Sequence, residues 1–232
     1  MPSRNVDKSK PIRRPRGRPK SDGTAHSATR EHLLRCGMEL LTEQGYVGTG
    51  LDQILKTAGV PKGSFYHYFK SKDDFGHAII EAYGDYFVAK LDHAFADQNL
   101  PPLDRLRNFI ADARKGMTRH SFKRGCLVGN LSQELSGTEE QFRTQLETVF
   151  SIWEKRVADL FKEAQATGDV PANANVKALA SFFWIGWEGA ILRSRLVRSA
   201  APLNVFEKTF FAHLTNLQGH TAKPALKKGK SR

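Results

Sequence analysis

From about Ser27 to about Leu217 apolar side chains recur at intervals of three and four residues, and nowhere do they alternate over the length of a strand. That period predicts an all-α protein. Leu33, Leu34, Gly37, Met38 and Leu41 share one helical face, and Gly45 can end that helix in the left-handed conformation. Thr49-Gly50-Leu51-Asp52 reads as a capping box that opens a short helix with Leu51, Ile54, Leu55 and Ala58 inward. Gly59-Val60-Pro61 breaks it, and a second short helix carries Lys62 through Phe69. Ser71-Lys72-Asp73-Asp74 then caps a longer helix running through Phe75, Ile79, Tyr83 and Tyr86 to near Asp97. Further helices are predicted over about 102–120 and 128–135. A long one starts at the capping box Thr138-Glu139-Glu140-Gln141 and stops at Gly168, and two more cover about 176–197 and 203–217. The pattern amounts to about nine helices, three in a head and the rest in a bundle.

The segment 51–69 has the grammar of a helix-turn-helix: two short helices joined by a three- or four-residue turn containing glycine, which places the second helix in a DNA major groove. Gly59 supplies the turn conformation, Ala58 lets the helices cross closely, and Pro61 presets the start of the second helix. Phe65 and Phe69 fall on the anchoring side, while Lys62, Ser64, Tyr66 and His67 fall on the other. Small, aromatic and basic side chains on an open face suit phosphates and base edges. An ordinary surface helix, with packed aromatics and a solvated Lys62, is the alternative.

Charge sharpens the picture once it is located. The net charge is +12, yet residues 1–20 hold eight Lys/Arg against one acid, and residues 219–232 hold five Lys/Arg and no acid. The stretch 21–218 is left neutral, with 23 basic and 23 acidic residues. The ends therefore read as disordered basic tails, over 1–24 and 219–232. In the first, Arg14-Pro15-Arg16-Gly17-Arg18-Pro19-Lys20 is similar to minor-groove-binding hooks, in which Arg16 and Arg18 would enter A·T-rich DNA. A solubilising tail is the alternative.

Val60-Pro61-Lys62-Gly63-Ser64-Phe65-Tyr66-His67-Tyr68-Phe69-Lys70-Ser71-Lys72, together with Thr29-Arg30-Glu31-His32-Leu33-Leu34, strongly resembles the DNA-binding head of TetR-type repressors. The resemblance implies a homodimer whose two heads read a palindromic operator in double-stranded DNA, while the bundle binds a small-molecule effector. Residues 25–72 would form the helix-turn-helix domain and 73–218 the effector-binding and dimerisation domain. Lys62, Ser64, Tyr66 and His67 would contact DNA, with Thr49, Tyr68 and Lys72 on phosphates. The helix beginning at Ser71 would join head to body, its tilt setting the spacing of the two recognition helices.

Two body segments bear on the effector. In Arg124-Gly125-Cys126-Leu127-Val128-Gly129-Asn130-Leu131 a helix break precedes a helix start, and a thiol at a helix N-terminus beside Lys123 and Arg124 is placed to be activated. A buried small hydrophobe is the other reading of Cys126. In Phe182 to Arg193, the small residues Gly186, Gly189 and Ala190 permit close helix approach, as in the family's dimer interface. Trp184, Trp187 and Glu188 can line a pocket or pack, and Glu188 needs a partner such as Arg193 or a ligand group. The two segments resemble the acrylate-responsive branch of the family, implying acrylate, a related small acid or its metabolite as effector, with Cys126, Asn130, Trp184, Trp187, Glu188 and Arg195 around it. The same Gly-Cys-Leu occurs in members that sense electrophiles or oxidants through that cysteine, which makes a thiol sensor the alternative. There a lysine assists the thiol, and the aligned residue here is Arg195, which cannot act as a nucleophile but can pair with a carboxylate.

Other classes find little support. No apolar run approaches the roughly 20 residues that span a bilayer, and the N-terminus lacks a signal peptide's apolar stretch, so a cytoplasmic location is expected. Two cysteines and scattered histidines predict no metal site and no cofactor. No nucleophile elbow, phosphate loop or carboxylate pair argues for an enzyme.

Overall fold

A computed structural model describes residues 23–137 and 139–221, the side chains from His26 to Leu217 apart from residue 138. The two basic tails, with Arg16 and Arg18, lie outside the described residues, as does Thr138. Nine helices and no strands occur among those described. The head comprises α1 (Gly23–Gln44), α2 (Leu51–Ala58) and α3 (Lys62–Phe65). The body comprises α4 (Lys72–Phe95), α5 (Pro102–Arg119), α6 (Leu127–Leu135), α7 (Glu140–Ala166), α8 (Val176–Val197) and α9 (Ala201–Thr221). None of them is long and apolar enough to cross a membrane.

Local chemistry sets most of the boundaries. Gly45, Gly59 and Gly168 follow α1, α2 and α7 at φ of 79°, 63° and 83°, a left-handed region that strains side-chain-bearing residues. Ser71 caps α4 by accepting from the Asp74 amide at 3.0 Å, and the Asp74 carboxylate accepts from the Lys70 amide at 2.8 Å. Asn175 caps α8 through two amides at 3.1 Å. The cap expected for α2 is different. Thr49 does not cap α2; its hydroxyl donates to the Gly45 carbonyl at 2.6 Å, one turn back, and Gly50 occupies the cap position. Glu139 precedes α7 and makes no side-chain cap.

The regular part of α3 stops at Phe65 rather than Phe69. Beyond it the chain tightens into turns, His67 and Tyr68 donating to the carbonyls of Ser64 and Phe65 at 3.2 and 2.8 Å. This winding lets Phe65 and Phe69 both reach Phe75, with ring centroids 5.4 and 4.8 Å apart, and all three are buried. Gly37 brings α1 against α4: a Cβ there would stand 2.5 Å from Ile79 Cδ1 and 2.6 Å from Phe75 Cζ. The first turns of α4 therefore belong to the head's core, while Phe87 and Leu91 belong to the body's, where Phe87 meets Trp153, Phe109 and Trp184. At 24 residues, about 36 Å of helix, α4 links the two.

Candidate nucleic-acid interface and effector pocket

The outer surface of the helix-turn-helix follows from what its anchors bury. With Phe65 and Phe69 inside, Lys62 and His67 are exposed, Tyr66 is 51% exposed and Ser64 is half-buried. Among the described residues Lys62 is tethered only by an exposed contact, 3.3 Å to Asp52, which a phosphate can displace at small cost. Tyr68 is half-buried, its ring 4.4 Å from that of His26. Two expected phosphate contacts are turned inward. Thr49 is fully buried with its hydroxyl engaged as above. The Lys72 ammonium donates to the Tyr46 carbonyl at 2.8 Å and lies 4.2 Å from that ring's centroid, with burial pushing its pKa down. It ties α4 to the end of the head instead of facing outward.

In the body, a cavity of about 570 Å³ opens among five elements. Tyr83, Phe87 and Lys90 come from α4, Asp112 and Met117 from α5, and Trp187 and Ile191 from α8. His120, Arg124, Gly125 and Cys126 come from the connection before α6, and Thr42 from the last turn of α1. The pocket is thus walled partly by the head. Its mouth carries an ion pair, Lys90 to Asp112 at 2.9 Å. Ser121 and Phe122, at φ of 51° and 56°, fold the α5–α6 connection back so that Arg124 reaches Glu39 and Glu43 of α1 at 3.3 and 3.4 Å.

Cys126 and the Tyr83 hydroxyl form the polar floor, with the first turn of α6 behind them. Gly129 donates to Cys126 Sγ at 3.4 Å, and the Val128 and Leu127 amides lie near that sulfur and near the Tyr83 hydroxyl, where they favour the charged forms. The Glu188 carboxyl lies beside the thiol and the Gly129 backbone. Burial, reinforced by that carboxylate, pushes the Cys126 thiol well above its ordinary value. The expected activation by Lys123 and Arg124 is not what the geometry shows, because Lys123 is exposed and Arg124 points to α1. Burial also raises Tyr83, and it raises Glu188 to about 7, opposed in the latter by the neighbouring thiol. Glu188 does not pair with Arg193, which is exposed.

Of the six expected effector residues, Cys126 and Trp187 line the cavity and the other four do not. Trp184 is buried in the aromatic core, its centroid 5.3 Å from that of Trp153. Asn130 donates to the Thr42 carbonyl at 3.1 Å and accepts from Arg195 at 3.0 Å, while Arg195 also donates to the Glu43 carbonyl at 2.9 Å. These two groups clamp α1 to α6 and α8, which leaves Arg195 engaged rather than open to a ligand carboxylate. Glu188 lies behind Cys126. Tyr83, Thr42, Lys90, His120 and the pocket role of Arg124 were not legible, since a tyrosine on the inner face of an amphipathic helix carries the same period whether it packs or faces a cavity.

On α8, Phe182, Ile185, Leu192 and Leu196 share a face with Gly189 and are all exposed, Ile185 at 70% and Leu196 at 74%. Gly186 is used within the chain, where a Cβ would stand 2.6 Å from Phe206 of α9, and Ala190 is buried.

Residues 33–79 match the profile described as bacterial regulatory proteins, tetR family, and residues 102–210 match the tetracyclin repressor-like C-terminal domain. The chain is 52% identical over 213 residues to the transcriptional regulator AcuR of Cereibacter sphaeroides, covering 92% of this chain and 97% of that one. It is 34% identical over 190 residues to the HTH-type transcriptional repressor DhaR of a Mycobacterium species, covering 82% and 94%. Among solved structures, the regulatory protein TetR from Rhodobacter sphaeroides superposes with a TM-score of 0.78 at 54% identity, over 80% of this chain and 98% of that one. The reduced form of Escherichia coli NemR superposes at 0.72 and 30% identity, over 82% and 96%.

Proposed function

The chain belongs to the TetR family of bacterial regulatory proteins, DNA-binding regulators rather than enzymes, and from that premise we propose that it is a transcriptional repressor released from a palindromic operator by acrylate or a related small acid or its metabolite. The observation that carries the ligand-responsive part is the shared wall. The pocket takes Thr42 from the head, and Arg124 on its edge holds Glu39 and Glu43 of the same helix. A ligand that binds one arrangement of these groups better than another shifts the head, whereas equal affinity shifts nothing.

On the DNA side, Lys62, Ser64, Tyr66 and His67 are offered to the major groove, with Tyr68 at the flank. The arm bearing Arg16 and Arg18 supplies positive charge that the head lacks, since residues 21–75 hold six basic and seven acidic groups. The homodimer pairs the α8 faces, whose apolar stripe is the kind of patch that marks an interface. The similarity to AcuR and the Gly125-Cys126-Leu127 and Trp184–Arg193 segments support acrylate. Cys126 in the pocket wall supports the second reading, a thiol sensor of electrophiles or oxidants.

Fluorescence anisotropy on DNA from upstream of the protein's own gene tests both. Acrylate is titrated with and without prior blocking of the thiols. Release in both cases supports a noncovalent effector, and release that requires a free thiol moves the assignment to Cys126. Binding to DNA that acrylate leaves untouched refutes acrylate, and no binding to any such DNA refutes the repressor reading at that locus.

A further inference from the structure

Glu188 is a half-buried residue whose carboxyl the repressor reading leaves without a task. Its Oε1 is buried and has no hydrogen-bond partner among the described residues. Its other oxygen faces Gly129, where a Cβ would collide with it. The Cys126 thiol from the start of α6 lies beside it, and the Tyr83 hydroxyl from α4 stands close enough to feel its charge. Both of those groups line the cavity. Cations are near the mouth rather than the floor, and two are committed: Lys90 to Asp112 and Arg124 to Glu39 and Glu43. Arg119 and His120 complete the rim. On its own helix Arg195 is engaged by Asn130 and Arg193 is exposed. Among the described residues no neighbouring cation offsets the burial of Glu188, and only the thiol opposes it.

A ligand carboxylate brought onto this floor would face a second negative charge across a thiol, in surroundings that screen poorly. Like charges so placed do not both stay ionised. We propose that a monocarboxylate bound in this pocket takes up a proton with it, held on Glu188, so that Tyr83 and Cys126 receive the anion with a neutral carboxyl behind them. The proposal rests on the small-acid reading above and specifies its chemistry: the proton is the co-ligand. A simple carboxylic acid is ionised throughout the range from pH 6 to 8, so any proton taken up there comes to the protein. Free Glu188, with its pKa near 7, already carries the proton at pH 6 and has mostly lost it at pH 8. Acrylate should accordingly bind about tenfold more weakly at pH 8 than at pH 6.

The test is calorimetric titration of acrylate into the full chain at pH 6 and pH 8, each in two buffers of different ionisation heat, which counts the protons exchanged. Uptake approaching one proton at pH 8 and near none at pH 6 is expected. Glu188→Gln should abolish both the uptake and the pH dependence while retaining binding. A rim imidazole is the competing source of pH dependence, so His120→Gln is run alongside and should leave the uptake intact. Acrylate binding without proton uptake in the wild type overturns this proposal alone, and that arm needs no variant to fold. Uptake abolished by His120→Gln and not by Glu188→Gln likewise overturns it. No binding at either pH overturns the small-acid reading and this proposal with it.

Discussion

Thr49 and Glu188 show how a single side chain's partner decides its role. The Thr49 hydroxyl is buried and spent on the Gly45 carbonyl. Thr49→Val should lower stability by about 1 kcal/mol in denaturant melts while operator affinity of the folded protein stays unchanged; a large loss of affinity would restore it as a DNA contact. Lys62→Ala and Tyr66→Ala should do the reverse, weakening operator binding at least tenfold with little change in melting. Glu188 imposes a pH dependence on folding. A carboxyl whose pKa rises on folding stabilises the folded state fully below its unfolded value, and that contribution is lost as pH climbs through the folded value, here about 7. Glu188→Gln should therefore become the more stable protein above pH 7, by roughly 3 kcal/mol relative to its standing at pH 4.5, read from urea midpoints at both ends. The sequence flagged Glu188 as needing a partner and offered Arg193 on its own helix or a ligand group, whereas the group beside it is the Cys126 thiol on another element. Contacts of that kind carry no local spacing to read.

At the scale of elements, what was legible is what short-range chemistry dictates. Glycines at left-handed positions and the Ser71 cap gave α1, α2, α4 and α7 their limits, and the expected bounds of α8 match those observed. The tight winding after Phe65 was not legible, because it answers to packing on Phe75 from a different helix. The connection between α5 and α6 was equally opaque. Its left-handed Ser121 and Phe122 follow no glycine rule, yet they deliver Arg124 to Glu39 and Glu43. Such half-exposed ion pairs contribute little to stability, so Arg124→Ala should melt within about 1 kcal/mol of the wild type. Its expected effect is on coupling: the ratio of operator affinities without and with acrylate should shrink about fivefold or more. An unchanged ratio would leave the pocket's message to α4 alone.

Across the whole molecule, the proposed dimer interface on the apolar stripe of α8 and the proposed DNA contacts of the basic arm can be separated by experiment. Leu196→Glu, on an exposed face that no core depends on, should convert a dimer to monomer in sedimentation velocity and weaken operator binding along with it. Retention of the dimer would move the interface elsewhere. Removing residues 1–20 should leave the oligomer intact and flatten the dependence of affinity on salt, because fewer counterions are released. The last turn of α1 has a different implication. Thr42 walls the cavity, and Glu39 and Glu43 hold its edge, so on the proposed function the reading head and the sensing chamber are not interchangeable parts. A hybrid regulator spliced at residue 72, keeping this body under another relative's head, would inherit a chamber with one side replaced. Rewiring the operator preference of such a sensor without detuning its response requires carrying the end of α1 across with the body and exchanging only the surface of the helix-turn-helix.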